Sequence, residues 1–282
     1  MGGLLAFHAH PDDEVISTGG VLARYSRVGE QVVVVTATDG SEGEIHNYDE
    51  PESLRPVLAE IRAREVLAAL DELGVKNHEF LGYRDSGMMG TDPNAHPLAF
   101  WQADLFEATG RLVRLIRRYQ PEVMTVYDPF GGYGHPDHIQ VHRVGTAAFF
   151  GCRDLGWFPL EEGEEYWAPA KLYWGAWSRS RTEAIGRYWD EPENPADDGN
   201  PRWWENRGLP DSEITTIVDV REHIEQKDAA LRAHRSQIPA DWFLLKIPPG
   251  GREELMGFET FQRIFSTVPA PLPESDLFAG LR

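Results

Sequence analysis

The first half of the chain alternates between two hydrophobic patterns. Short apolar runs at residues 4–7 (Leu-Leu-Ala-Phe), 31–37 (Gln-Val-Val-Val-Val-Thr-Ala), 79–81 and 123–127 (Val-Met-Thr-Val-Tyr) predict strands. The β-branched run at 31–37 lacks polar alternation, as expected of a strand buried on both faces. Between these runs, residues 15–28, 54–73, 101–119 and 136–150 carry apolar positions at helical spacing, for example Leu105, Leu112, Leu115 and Ile116. Gly74 and Pro121 end two of these helices, and Pro136 occupies a favourable first-turn position. Strands separated by helices predict an α/β fold: a Rossmann-like, doubly wound, mostly parallel sheet with helices on both faces.

The texture changes after residue 150. Pro, Glu and aromatic residues become frequent, and all but one of the nine tryptophans lie there. Residues 171–177 and 214–219 predict further strands, 221–234 a helix, 190–211 a long mobile loop, and 269–273 onward an extended tail. The expected organisation is an α/β core over 1–150 and an aromatic-rich subregion over 151–282. That subregion would continue the sheet and supply substrate-side loops within one structural domain.

Composition narrows the function. A hydrophobic content of 41% supports a real core, and the formal net charge of −19 argues against nucleic acid or an anionic membrane as partner. The single cysteine, Cys152, excludes an intrachain disulfide and a thiolate metal cluster. No run reaches membrane-spanning length, and the N-terminus lacks a basic segment followed by an apolar core, so a cytoplasmic location is expected.

The chemistry sits directly after two of the predicted strands. His10-Pro11-Asp12-Asp13-Glu14 follows the first, and His135-Pro136-Asp137-His138 follows the fourth. In a sheet of order 3-2-1-4-5 those strands are neighbours, and ligands bind beyond their carboxyl ends at the switch point. Two clusters distant in sequence thus converge in space. His10, Asp13 and His138 would supply two imidazoles and a carboxylate to one divalent ion, the usual number of protein ligands in a catalytic zinc site. Asp12, whose side chain diverges from that of Asp13, is then free to act as general base towards a water. His135, or Tyr133 on the loop Gly131-Gly132-Tyr133-Gly134, would stabilise the oxyanion, and protonated Asp12 or a His135 imidazolium would protonate the leaving amine. The reaction class is metal-assisted amide hydrolysis.

These residues resemble the PIG-L/LmbE-like zinc-dependent N-deacetylases. The likeness extends to Thr38-Asp39-Gly40-Ser41-Glu42-Gly43-Glu44, Arg84-Asp85-Ser86-Gly87-Met88, Tyr127-Asp128, Ala233-His234-Arg235-Ser236-Gln237 and Asp276-Leu277-Phe278-Ala279-Gly280. It implies zinc, with iron(II) as the other candidate ion, bound by His10, Asp13 and His138, and Asp12 as base. It also implies His135 as the assisting imidazole oriented by Asp137, Tyr133 as a mobile oxyanion donor, and Arg62, Glu44 and Asp85 as substrate contacts. The implied substrate is a small N-acetylglucosaminyl conjugate of thiol-cofactor synthesis, of the mycothiol type (inositol) or bacillithiol type (malate). The S-conjugate amidases of the same family are the alternative. They tend to carry Lys where this chain has Ser17, which favours the deacetylase. The sequence leaves the oligomeric state open.

Each of these features also has a simpler explanation. Asp12, Asp13 and Asp137 are also residue types that cap helices or enrich first turns. His8 and His142 read as packing or supporting histidines, and His46, His78, His96, His223 and His234 as surface or structural ones. Arg62 and Arg64, interleaved with Glu60 and Glu65, read as a solvated ion-pair face, so a site role for Arg62 comes from the resemblance alone. The glycine loop lacks phosphate-binding spacing. Trp174, Trp177, Trp203, Trp204 and Trp242 read as packing residues rather than a sugar platform. A non-haem iron oxygenase would also use two histidines and a carboxylate, but usually spaced His-x-Asp on a β-barrel rather than His-x-x-Asp in an α/β chain. A non-catalytic binding protein of this fold would be expected to lack the base that Asp12 provides.

Overall fold

The computed structural model describes residues 2–188 and 208–282. Five strands, β1 (Gly3–His8), β2 (Gln31–Thr38), β3 (Asn77–Tyr83), β4 (Val123–Val126) and β5 (Lys171–Gly175), run parallel. Two more, β6 (Thr216–Asp219) and β7 (Phe258–Ser266), complete one sheet of order β3-β2-β1-β4-β5-β7-β6, with β7 antiparallel to both its neighbours. The helices are α1 (Asp13–Arg27), α2 (Leu58–Glu72), α3 (Leu105–Tyr119), α4 (Pro136–Gly151), α5 (Arg179–Gly186), α6 (Ile224–Ala233), α7 (Phe243–Lys246) and α8 (Pro249–Met256).

The unbroken apolar runs follow from a sheet covered on both sides. Successive strand side chains point to opposite faces. Leu4 and Ala6 of β1 and Val32 and Val34 of β2 therefore join one core with α1, α2 and α6. Leu5, Phe7, Val33 and Val35 join the other with α3 and α4. Each such buried side chain contributes roughly 1.5–3 kcal/mol. Leu4, Leu5 and Ala6 align with Val123, Met124 and Thr125 of β4. The first and fourth strands are thus neighbours, and their carboxyl ends open on the same edge. Among the described residues no helix is long and apolar enough to cross a membrane.

The C-terminal half holds the departures from expectation. Strand β7 and helices α5, α7 and α8 carry no clear period in the sequence. Glu259 of β7 is fully buried, accepts the N–H groups of Gly20 and Val21 (2.9 and 2.7 Å) and pairs with the buried Lys227 of α6 at 2.6 Å. Lys227 also reaches the carbonyl of Ile16. This ion pair tethers α1 to the far end of the sheet. A Cβ at Gly20 would lie 2.5 Å from Val220, so only glycine lets the helix come this close.

The expected extended tail is instead built into the fold. Leu277 and Phe278 are buried in the core. Glu274 takes Lys171 Nζ at 2.6 Å, Tyr173 Oη at 2.8 Å, Arg263 at 2.8 Å and Thr216 Oγ1 at 3.0 Å. The expected loop at 190–211 lies outside the described residues up to residue 207, as do Trp203 and Trp204. Trp174 and Trp242 pack against the two cores, in keeping with a packing role.

Candidate metal centre and active site

The two clusters meet. Immediately after β1 the chain turns through His10 and Pro11 into α1, whose first residue is Asp13. After β4 a glycine loop leads to His135, which caps α4 by accepting the N–H of Asp137 on its Nδ1 at 3.1 Å. Gly131, at φ 64°, lets that loop pass His138 so closely that a Cβ would lie 2.4 Å from the histidine's own. Asp13 Oδ2 lies 3.2 Å from His10 Nδ1 and 3.3 Å from His138 Nε2. All three side chains are buried, with ligand atoms within 4.8 Å of one another.

A second group, His10, Asp85, His135 and Asp137, is equally compact and shares His10. Its geometry fits a supporting role better. His10 Nε2 faces Asp137 at 3.3 Å and Asp85 at 3.6 Å, while Asp137 is already held by the N–H (2.9 Å) and hydroxyl of Ser86. Carboxylates commonly back metal-binding imidazoles in this way, fixing the ring and its tautomer. Burial alone would depress the pKa of His10, yet Asp85, Asp13 and Asp137 raise it well above the ordinary histidine value. The cluster therefore carries surplus negative charge that favours a positive occupant, and two imidazoles with one carboxylate form a donor set suited to a divalent transition metal.

Asp12 stands apart from this set. It adopts φ 129° and ψ −32°, conformational space that a non-glycine residue rarely occupies. Its carboxylate meets Arg62 at 3.1 Å. Burial, only partly offset by Arg62 and reinforced by Asp13, raises its pKa to about 6. Arg62 departs from the solvated face expected of it. It is 3% exposed and donates to the carbonyls of Pro11 (2.6 Å) and Gly40 (2.7 Å) as well as to Asp12. Its helix neighbour Glu65 is also buried, bound to the N–H and hydroxyl of Ser236.

The remaining expected residues divide into near and far. Burial, then His10 and His138, push the His135 pKa down to about 2, which keeps its ring neutral. Asp137 meets His135 through its backbone N–H, while its carboxylate serves Ser86 and His10. Tyr133 is half-exposed as a residue, but its hydroxyl lies 3.4 Å from His138 Nε2, where desolvation of that group and then the Asp13 carboxylate raise its pKa so that it stays a neutral donor. Asp85 is buried against His10. Glu44 is not drawn in: its side chain is exposed and pairs with His46.

His8 is a supporting residue, as expected. It bonds Tyr127 Oη at 2.9 Å and Thr18 Oγ1 at 3.0 Å, and burial lowers its pKa to about 4. His142 bonds the carbonyl of Tyr127 and packs edge-on against Trp174. Sequence reasoning gave no role to Ser86, Tyr127 or Glu14, and read His234 as a surface or structural histidine. Tyr127 stacks on His138 with ring centroids 4.6 Å apart. His234 is fully buried and bonds Glu14 Oε1 at 2.7 Å. Ser86, Tyr127, Glu14 and His234 all fall in stretches that carried the family likeness, the one signal available for them.

Residues 5–149 match the family model described as PIG-L, GlcNAc-PI de-N-acetylase. The chain is 42% identical to the 1D-myo-inositol 2-acetamido-2-deoxy-alpha-D-glucopyranoside deacetylase of Salinispora arenicola, over 99% of this chain and 91% of that protein. It is 41% identical to the protein of that name from Geodermatophilus obscurus, over 99% and 97%. Among solved structures, the N,N'-diacetylchitobiose deacetylase of Pyrococcus horikoshii shares the fold with a TM-score of 0.65, covering 93% of this chain and 83% of that one at 24% identity.

Proposed function

The chain belongs to the PIG-L family and is an amide hydrolase of its deacetylase type, and we propose that it removes the N-acetyl group of an inositol-linked N-acetylglucosaminide with zinc as its metal. The observation that carries the reading is Asp13 Oδ2 lying between His10 Nδ1 and His138 Nε2, with the adjacent Asp12 carboxylate turned to Arg62. The proposed substrate is supported by relatives that are 41–42% identical over almost the whole chain and carry that activity in their names.

His10, Asp13 and His138 would hold the ion, which when bound supplies Lewis-acid activation of water and of the amide carbonyl. Asp12 takes the proton of the attacking water; a base with a pKa near 6 is well matched to neutral pH. Because His135 Nδ1 accepts a backbone N–H, its neutral ring carries the proton on Nε2. It therefore donates a hydrogen bond, rather than a proton, to the acyl oxygen as negative charge develops there, with Tyr133 as a second donor. That leaves protonated Asp12 to return its proton to the departing amine, giving acetate and the free glucosaminide. Arg62 holds the base, Asp85 and Asp137 hold His10, and exposed Glu44 is left to meet the aglycone.

The test is a substrate panel on zinc-loaded protein: inositol- and malate-linked N-acetylglucosaminides and a bimane-labelled thiol conjugate. Acetate release fastest from the inositol compound is expected. Mercapturate from the thiol conjugate without acetate would make the chain an S-conjugate amidase, and oxygen uptake with iron and a 2-oxo acid would make it an oxygenase.

A further inference from the structure

We propose that Glu14 and His234 are positioning residues that lock the backbone of Asp12 and so aim its carboxylate; the inference rests on the reading of Asp12 as the general base. The positive φ of Asp12 is strained and persists only where its surroundings impose it. Those surroundings are few and specific. The Asp12 N–H donates to Glu14 Oε2 at 2.9 Å, and its carbonyl accepts from Val15 and Ile16 at 3.0 and 3.2 Å. Arg62 binds the preceding carbonyl of Pro11 and the Asp12 carboxylate itself. Of these groups, only Glu14 grips the N–H on the strained side of the residue.

Glu14 is fully buried, and its second oxygen is taken by His234 Nε2 at 2.7 Å. His234 comes from the end of α6, far along the chain, and is itself fully buried. Its Nδ1 has no hydrogen-bond partner. A buried polar atom left unpaired is destabilising, a cost an apolar side chain of similar size would avoid. The polar function of this ring is therefore its single contact with Glu14. The C-terminal half of the molecule thus reaches the base through two side chains, and among the described residues neither hydrogen-bonds to nor ion-pairs with His10, Asp13 or His138.

Glu14→Gln leaves one acceptor oxygen for two donors, and His234→Leu removes the clamp on Glu14. Each should be made in the wild-type and in an Asp12→Asn background, and kcat, KM and bound zinc measured. In the wild-type background each should lower kcat about ten- to hundredfold, with KM and zinc content unchanged. In the Asp12→Asn background neither should lower it further, because both act through the same carboxylate. His234→Gln, which keeps a donor, should recover most of the loss seen with Leu. Equal losses in both backgrounds, loss of zinc, or wild-type kcat in His234→Leu would overturn the proposal. Should Glu14→Gln fail to fold, the two His234 variants decide. The reading of Asp12 fails separately, if Asp12→Asn itself turns over normally.

Discussion

Two clusters of buried charge make an instructive pair. At the carboxyl ends of β1 and β4, the carboxylates of Asp12, Asp13, Asp85 and Asp137 share one arginine and the imidazoles around them. Beneath the C-terminal segment, one carboxylate, Glu274, is shared by Lys171, Arg263, Tyr173 and Thr216. Both clusters are desolvated, and both join parts of the chain far apart in sequence. They differ in balance. Glu274 has cations to spare and both oxygens occupied, so its cluster holds the fold together and has no need of a ligand. The first cluster has more negative charge than its own cations neutralise, and burial prevents water from screening it. Polar residues in a core are therefore not by themselves a sign of function; an unbalanced set is.

The sharpest way to break the contrast is to alter the centre. His10→Ala should lose both bound metal and turnover, whereas Asp12→Asn should keep metal and lose about 10²–10⁴ in kcat; metal analysis and steady-state kinetics on the same preparations separate the two. Unchanged turnover in Asp12→Asn would remove the base from the scheme. The complementary change, Glu274→Gln, leaves buried Lys171 without its counter-charge and should cost roughly 3–5 kcal/mol in urea unfolding. Metal content and kcat per folded molecule should stay as in the wild type. A fall in kcat equal to that of Asp12→Asn would erase the distinction between the clusters.

Smaller effects sharpen it. Zinc at a hundredfold excess over its dissociation constant should stabilise the wild type by about 2.7 kcal/mol, and His10→Ala should show no such gain in thermal unfolding. The last prediction concerns acid. Burial would raise the Glu274 pKa, but hydrogen bonds from Lys171 and Tyr173 outweigh it and hold it below its ordinary 4.5. A depressed folded pKa gives a contribution complete above the unfolded value and lost as pH falls through the folded one. Unfolding titrations below pH 4.5 should accordingly show a shallower acid loss in Glu274→Gln than in the wild type.

The comparison also marks what a sequence can disclose. The parallel core was legible because burial on both faces leaves unbroken runs such as Val32–Val35, and because strand order follows from connection rules. The convergence of His10, Asp13 and His138 was legible because the two clusters sit immediately after two such strands. Strand β7 was not, since Glu259 and Arg263 interrupt its apolar positions and find their partners on α6 and in the terminal segment. The same blindness applied to Arg62 and Glu65. Local spacing made them a solvent face, but their partners, Pro11, Gly40 and Ser236, come from distant segments. Charge that is neutralised at long range looks, in one dimension, like charge that is solvated. Glu274 among its prolines read as a loose end for the same reason.

The strand order has a consequence for how the molecule is made. His10 and Asp13 follow β1, but the slot beside that strand is filled only by β4, about 120 residues further along, with His138 behind it. Until that pairing forms, the proposed ligand set has only two of its three members in place. On that ligand set, tight binding of an ion would wait on closure of the middle of the sheet and would report that the nonlocal pairing has been achieved.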